Sequence, residues 1–160
     1  MTILACDVPA GTLLHEYVQQ HYSDCYSTTV QSNVDLARFI IAFYNSNGFR
    51  PERILLGLAF GRHADNQSTA DLAADKTQKF SAWEVEKRLA NEILLADISG
   101  ATRSWLMVEA LSSGITRLYF GSAVVRKSGD EGRRPLLFRA LMPFHRIYSR
   151  VLLGSAVSEL

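Results

Sequence analysis

From Tyr22 to Gln31 the chain reads YSDCYSTTVQ, with aromatic and β-branched residues interleaved with polar ones. Such side chains fit a pleated, half-buried surface, so the pattern predicts a strand. Ser32 followed by Asp35 resembles a capping box, and a helix is expected from about Asn33 to Asn45, burying Leu36, Phe39, Ile40 and Phe43. Asn47-Gly48 ends it. Pro51 suits a first helical position, and Ile54, Leu55, Leu58 and Ala59 form an apolar stripe up to Gly61. Residues Arg62–Gln67 read as a polar loop, and Ser68-x-x-Asp71 opens a short third helix through about Lys76.

The pattern then changes. Phe80–Leu89, Glu92–Ile98, Thr102–Leu111 and Ile115–Val125 are four strand-like runs with short polar or glycine-containing breaks. Parallel crossovers need a dozen or more residues, so these links predict an antiparallel meander. After the charged segment Lys127–Arg134, read as a turn or loop, Pro135–Val157 carries a helical period. Leu137, Leu141, Phe144, Tyr148 and Val151 fall within about 40° of one direction, with Arg139, Arg146 and Arg150 opposite. Pro143 removes a backbone donor and is expected to kink or divide this helix. A curved sheet must cover its apolar face, and the terminal helix offers the matching stripe. The expected fold is α+β, one domain over residues 1–160.

Composition narrows the functions. With 17 Lys+Arg against 16 Asp+Glu, the net charge of +1 gives no basic surface for nucleic acid. Hydrophobic residues make up 48% of the chain, which excludes disorder. No apolar run reaches the roughly 20 residues of a membrane-spanning helix, and the N-terminus lacks the basic residues of a signal peptide. Asn66-Gln67-Ser68 then reads as a chance sequon. Cys6 and Cys25 are too few for a disulfide scaffold and are read as two small buried thiols of a cytoplasmic protein.

Two stretches, TRSWLMVEALSSGITRLYFGSAVV (Thr102–Val125) and LMPFHRIYSR (Leu141–Arg150), together with Phe80-x-x-Trp83-x-Val85, resemble a bacterial family of uncharacterised function within the START-like (SRPBCC, helix-grip) superfamily. The likeness covers roughly the C-terminal half; the N-terminal half matches in element order. It implies a curved antiparallel sheet wrapped around a long C-terminal helix with a cavity between them. It implies no reaction, since one fold hosts many functions.

Known catalytic signatures are missing: the chain has no H-E-x-x-H, C-x-x-C, G-x-S-x-G, P-loop or G-x-G-x-x-G. His15, His21, His63 and His145 show no metal-ligand spacing, and no cofactor is expected. His145 sits at about 80° from the centre of the apolar stripe, where an imidazole suits either a ligand contact or a structural hydrogen bond. Trp83 and Trp105 suit a pocket wall or a core. Trp83 is expected to point inward, while Trp105 is open to either face. Phe120 shares one side of the last strand with Leu118, Ser122 and Val124, and Gly121-Ser122-Ala123 suggests a bulge or a close approach by the helix. Asp97, within an apolar run, is either a buried acid or a residue turning the chain before Gly100. Glu84 and Glu86 are placed on a wet face, with Arg103 and Arg117 as cross-strand partners or anion contacts.

Three functions follow as expectations. The first is a cavity that binds a small hydrophobic molecule, lined by Trp83, Trp105, Phe120, Leu141, Phe144, His145 and Tyr148. The second is a cyclase, dehydratase or isomerase using cavity groups, with His145 paired to Asp97 or Glu109. The third is a pocketless homodimeric interaction module.

Overall fold

The computed structural model describes residues 2–48, 66–125 and 135–160, with the backbone alone for 135–143. The expected helix after Pro51, His63, the 127–134 segment, and the side chains of Leu137, Arg139 and Leu141 lie outside the described residues. In chain order the elements are β1 (Leu4–Ala5), a 3-10 turn (Leu13–Tyr17), β2 (Tyr22–Val30), α1 (Leu36–Asn45), α2 (Asn66–Ala73), β3 (Lys79–Phe80), β4 (Trp83–Arg88), β5 (Glu92–Asp97), β6 (Thr102–Ser112), β7 (Ile115–Val124) and α3 (Pro135–Val157). The seven strands form one curved antiparallel sheet in the order β1-β2-β7-β6-β5-β4-β3. The meander from β3 to β7 closes by placing β7 beside β2, so the first long strand and the last are neighbours.

Local chemistry sets the element ends. Asp35, not Ser32, caps α1: its carboxylate accepts the Arg38 N–H at 2.7 Å, so the helix starts three residues later than the capping-box reading places it. The run Phe80–Leu89 is broken into β3 and β4, because Ser81 turns the chain with φ +53° and sets Phe80 opposite Trp83. A bulge follows between Val85 and Lys87. Helix α3 is continuous through Pro143, so the proline does not divide it.

Apolar residues are buried on both faces of the sheet. On one face, Phe39, Ile40, Phe43 and Tyr44 of α1 and Leu152, Leu153 and Ala156 of α3 pack onto Tyr26, Leu95, Leu106, Leu118 and Phe120. On the other face, Leu13 and Leu14 of the 3-10 turn cover Cys25, Leu94, Trp105, Met107 and Tyr119. This second layer explains why Ser104–Val108 is buried residue after residue instead of alternating.

Gly121 allows the close approach. A Cβ there would lie 2.4 Å from Leu14 Cδ2, 2.9 Å from the Asp24 carbonyl oxygen and 3.0 Å from Trp105 Cε3. The approaching element is therefore the 3-10 turn on the outer face, not the long helix, and β7 keeps its register with β2 without a bulge.

The buried stripe of α3 differs from the expected one. Ser149, Leu152, Leu153 and Ala156 are buried, whereas Phe144 and Val151 are 68% and 50% exposed. Between Phe144 and Val157 the helix carries two apolar faces that share Tyr148. Beside that buried face, α3 also meets the segment after α1 closely: a Cβ on Gly48 would stand 2.7 Å from Ser155 Oγ and 3.4 Å from the Val151 carbonyl oxygen. Larger side chains on that side of α3 would hold the two elements apart.

Candidate functional site

Alternation along β2, β7 and β6 turns Asp24, Ser122 and Ser104 toward the helices. Register then aligns them directly, Asp24 opposite Ser122 and Ser122 opposite Ser104. This gives a polar strip across a face that is otherwise apolar. Ser122 Oγ–H donates to Asp24 Oδ1 at 2.7 Å. His145, projecting from α3, brings Nε2 to 3.0 Å from Ser122 Oγ and 3.1 Å from Asp24 Oδ2. With a proton on Nε2, the ring donates into both oxygens. Tyr44 of α1 approaches the far end of the strip, its hydroxyl 3.5 Å from Ser104 Oγ.

The cluster lies where the helix–sheet seam changes character. Toward its C-terminus α3 is sealed by Leu152, Leu153 and Ala156. At His145 the seam opens: that side chain is 33% exposed, and the Asp24 carboxylate beneath it 10%. Burial raises the Tyr22 hydroxyl, helped by the Asp24 charge and opposed by a hydrogen bond from Arg146. Tyr26 is pushed up to about 12 by its burial, then by Asp24 and Tyr22. Both phenols therefore stay neutral in ordinary buffers. Arg150 lies over the Tyr26 ring at 5.6 Å. Two arginines read as a solvated face, Arg146 and Arg150, thus flank the carboxylate's surroundings.

The expected site residues are only partly brought together. His145 joins the cluster, and Tyr148, one turn away, packs against the helix-side core and stacks on Phe144 at 6.1 Å between centroids. Phe120 is a core residue in contact with Phe43 at 4.8 Å. Trp83 does face the helices, but it stands on β4, four strand spacings or about 19 Å along the sheet from β2. Its Nε1–H finds no hydrogen-bond partner among the described residues, nor does Ser149 Oγ on α3.

Two expectations are corrected. Trp105 does not line the helix–sheet space: it lies in the outer-face cluster, where its Nε1–H donates to Glu92 Oε2 at 2.7 Å. The same oxygen accepts the Leu13 N–H at 2.9 Å, so the buried Glu92 ties the 3-10 turn to the sheet. Phe144 is not a wall of that space, because the rotation of α3 turns it to solvent.

The acid–base pairs suggested for His145 do not form. Glu109 sits on the opposite face, accepting from the Tyr119 hydroxyl and pairing with Arg117 at 3.5 Å. Asp97 closes the turn before β6, accepting from Ser99 Oγ and from the Thr102 N–H. Burial pushes the Asp97 carboxyl up, but hydrogen bonds from Ser99 and from the Thr102, Ala101 and Ser99 backbone outweigh it and leave the group below its ordinary value. Glu86 is exposed, as its wet-face placement expects, and pairs with Arg103 at 2.6 Å while accepting from the Tyr17 hydroxyl.

Nor is the Asp–Ser–His cluster arranged for acyl transfer. A nucleophilic serine needs its base on one ring nitrogen and the carboxylate on the other. Here both approach Nε2, and the serine proton already points at the carboxylate. What the arrangement offers is a fixed set of polar groups at the rim of an apolar seam. The sequence sets Ser122 on one side of the last strand with Phe120, but its partnership with Asp24 was not visible there, because it depends on β2 meeting β7, nearly a hundred residues apart. Among the described residues no group of three His, Cys, Asp or Glu side chains converges on a metal position, and no helix is long and apolar enough to cross a membrane. A scan against protein-family models, a search of curated proteins and a search of solved structures each find no match to this chain.

Proposed function

We propose that the chain is a helix-grip, START-like domain that binds a small, mainly apolar molecule carrying one hydrogen-bonding group. The bound molecule lies in the helix–sheet seam, with its polar group on Ser122 and His145. The observation that carries this reading is the Asp24–Ser122–His145 cluster, held at 2.7 to 3.1 Å on an apolar sheet face and open to solvent at the histidine. Polar groups set into an apolar recess fix the orientation of a ligand, while the apolar contact supplies most of the affinity. The antiparallel sheet with its first long strand beside its last, and the long helix laid across it, support the fold assignment. Native mass spectrometry of the purified full chain tests the proposal. A mass excess in the small-molecule range that disappears on denaturation, and is reduced in Ser122→Ala/His145→Ala, supports it. Bare protein in both, with no binding in a screen of small amphiphiles, refutes it.

A second reading rests on a different surface. Phe144, Ile147 and Val151 are spaced three and four residues apart on α3 and are 68%, 62% and 50% exposed. An apolar helix stripe left to solvent supports association of two copies through α3. Sedimentation across a concentration series distinguishes this reading: a dimer that Ile147→Asp dissociates favours it, and a monomer at all concentrations removes it.

A further inference from the structure

The pairing of β1 with β2 sets Ala5 opposite Tyr26, and the next pair along the ladder is Cys6 and Cys25. The Cys6 N–H donates to the Cys25 carbonyl at 3.0 Å, and the two sulfurs stand 3.4 Å apart. Residues facing each other in such a pair have Cα atoms about 5.5 Å apart, within the range that a disulfide spans. The nineteen-residue separation in sequence conceals this, because β1 is only two residues long. The thiols differ in access: Cys6 is half-buried, whereas Cys25 is buried in the outer-face cluster.

We propose that Cys6 and Cys25 form a reversible thiol–disulfide site, oxidised by hydroperoxides, that fastens the N-terminal strand to the sheet. Cys6 is the attacking thiol and Cys25 the resolving one. A hydrogen bond from Cys25 lowers the Cys6 thiol to about 6, aided by Ser27 and Arg117 against burial and Asp7. The Cys25 thiol is pushed up by that same partnership and by burial. The thiolate of Cys6 attacks one peroxide oxygen: the S–O bond forms, the O–O bond breaks, and hydroxide or alkoxide leaves. Cys25 then attacks the sulfenic sulfur of Cys6; the S–S bond forms, the S–O bond breaks, and the departing hydroxide takes the Cys25 proton as water. A dithiol reductant reverses the bridge by thiol–disulfide exchange. The site is separate from the ligand seam, which lies on the other face of the sheet.

The test is exposure of the reduced full chain to hydrogen peroxide, read by intact mass and by peptide mapping without reduction. The expected product is lighter by two hydrogens, linked Cys6 to Cys25, and restored by dithiothreitol. In Cys25→Ala, Cys6 instead gains oxygen atoms; in Cys6→Ser, thiol oxidation slows by at least about tenfold, because the remaining thiol is buried and protonated. Wild-type protein that takes up oxygen without forming the bridge overturns the proposal. So does Cys6→Ser, folded by circular dichroism, that oxidises as fast as wild type. The wild-type mapping stands even if a variant fails to fold.

Discussion

Replacing Trp105 by Phe tests whether the outer face of the sheet is a second core. The indole Nε1–H donates to the buried Glu92 carboxylate at 2.7 Å, and the ring is fully enclosed by the outer cluster. Losing a hydrogen bond to a charged group costs about 1.5–3 kcal/mol. The smaller ring also forfeits roughly 40 Å² of buried apolar surface, about 1 kcal/mol. The expected destabilisation is ~3 kcal/mol, a large part of a stability in the usual range of about 5–15 kcal/mol. The assay is urea unfolding followed by circular dichroism, repeated in Glu92→Gln. In that background the charge-assisted share is already gone, so Trp105→Phe should cost ~1–2 kcal/mol less. Equal costs in the two backgrounds, to within about 0.5 kcal/mol and with unchanged m-values, would refute the coupling.

Other substitutions probe the remaining contacts. Gly121→Ala should destabilise by about 1–3 kcal/mol in the same unfolding assay, since its Cβ meets the backbone oxygen of Asp24 as well as Leu14; a neutral result would mean that β2 and β7 separate more easily than their pairing implies. Arg88 donates from its guanidinium to the Leu72 and Ala73 carbonyls at 2.6 and 2.8 Å, satisfying the C-terminal end of α2. Arg88→Met should therefore cost ~2 kcal/mol and speed amide exchange in α2, and unaltered exchange there would exclude that role. Iodoacetamide should modify Cys6 at a rate that rises through about pH 6 and then levels, because the thiolate is the reacting form. Cys25, Ser27, Asp7 and Arg117 set that value, and Cys25→Ala should move the profile upward toward the ordinary thiol range. A wild-type profile centred near pH 8.5 would contradict the Cys25 hydrogen bond.

The inner core was legible in the sequence because it follows simple periods. Leu36, Phe39, Ile40 and Phe43 recur at helical spacing and are all buried. The strands from Glu92 to Val124 follow from short links, with Gly114 at φ +78° turning β6 into β7. The outer cover was not legible. A two-residue strand and one 3-10 turn carry too little periodicity, so Trp105 had no visible partner. The uninterrupted apolar run Trp105-Leu106-Met107-Val108 was the available clue, since a strand apolar on both faces needs a layer on each. Helix α3 misled for a different reason. Its wheel has two apolar faces, and tertiary packing makes the choice between them: Leu152, Leu153 and Ala156 join the core with α1, while Phe144 and Val151 stay exposed. His145 stood out by its place on the wheel, but its partners Asp24 and Ser122 become neighbours only once β2 pairs with β7.

The most direct measurement of the central claim is a ¹H–¹⁵N correlation titration of the full chain with the amphiphilic probe 8-anilinonaphthalene-1-sulfonate. Binding in the helix–sheet seam predicts saturable shifts at the Asp24, Ser122 and Ser104 amides and in the His145 ring, weakened in Ser122→Ala/His145→Ala. Shifts confined to Phe144, Ile147 and Val151, or to the outer face around Trp105, would contradict it.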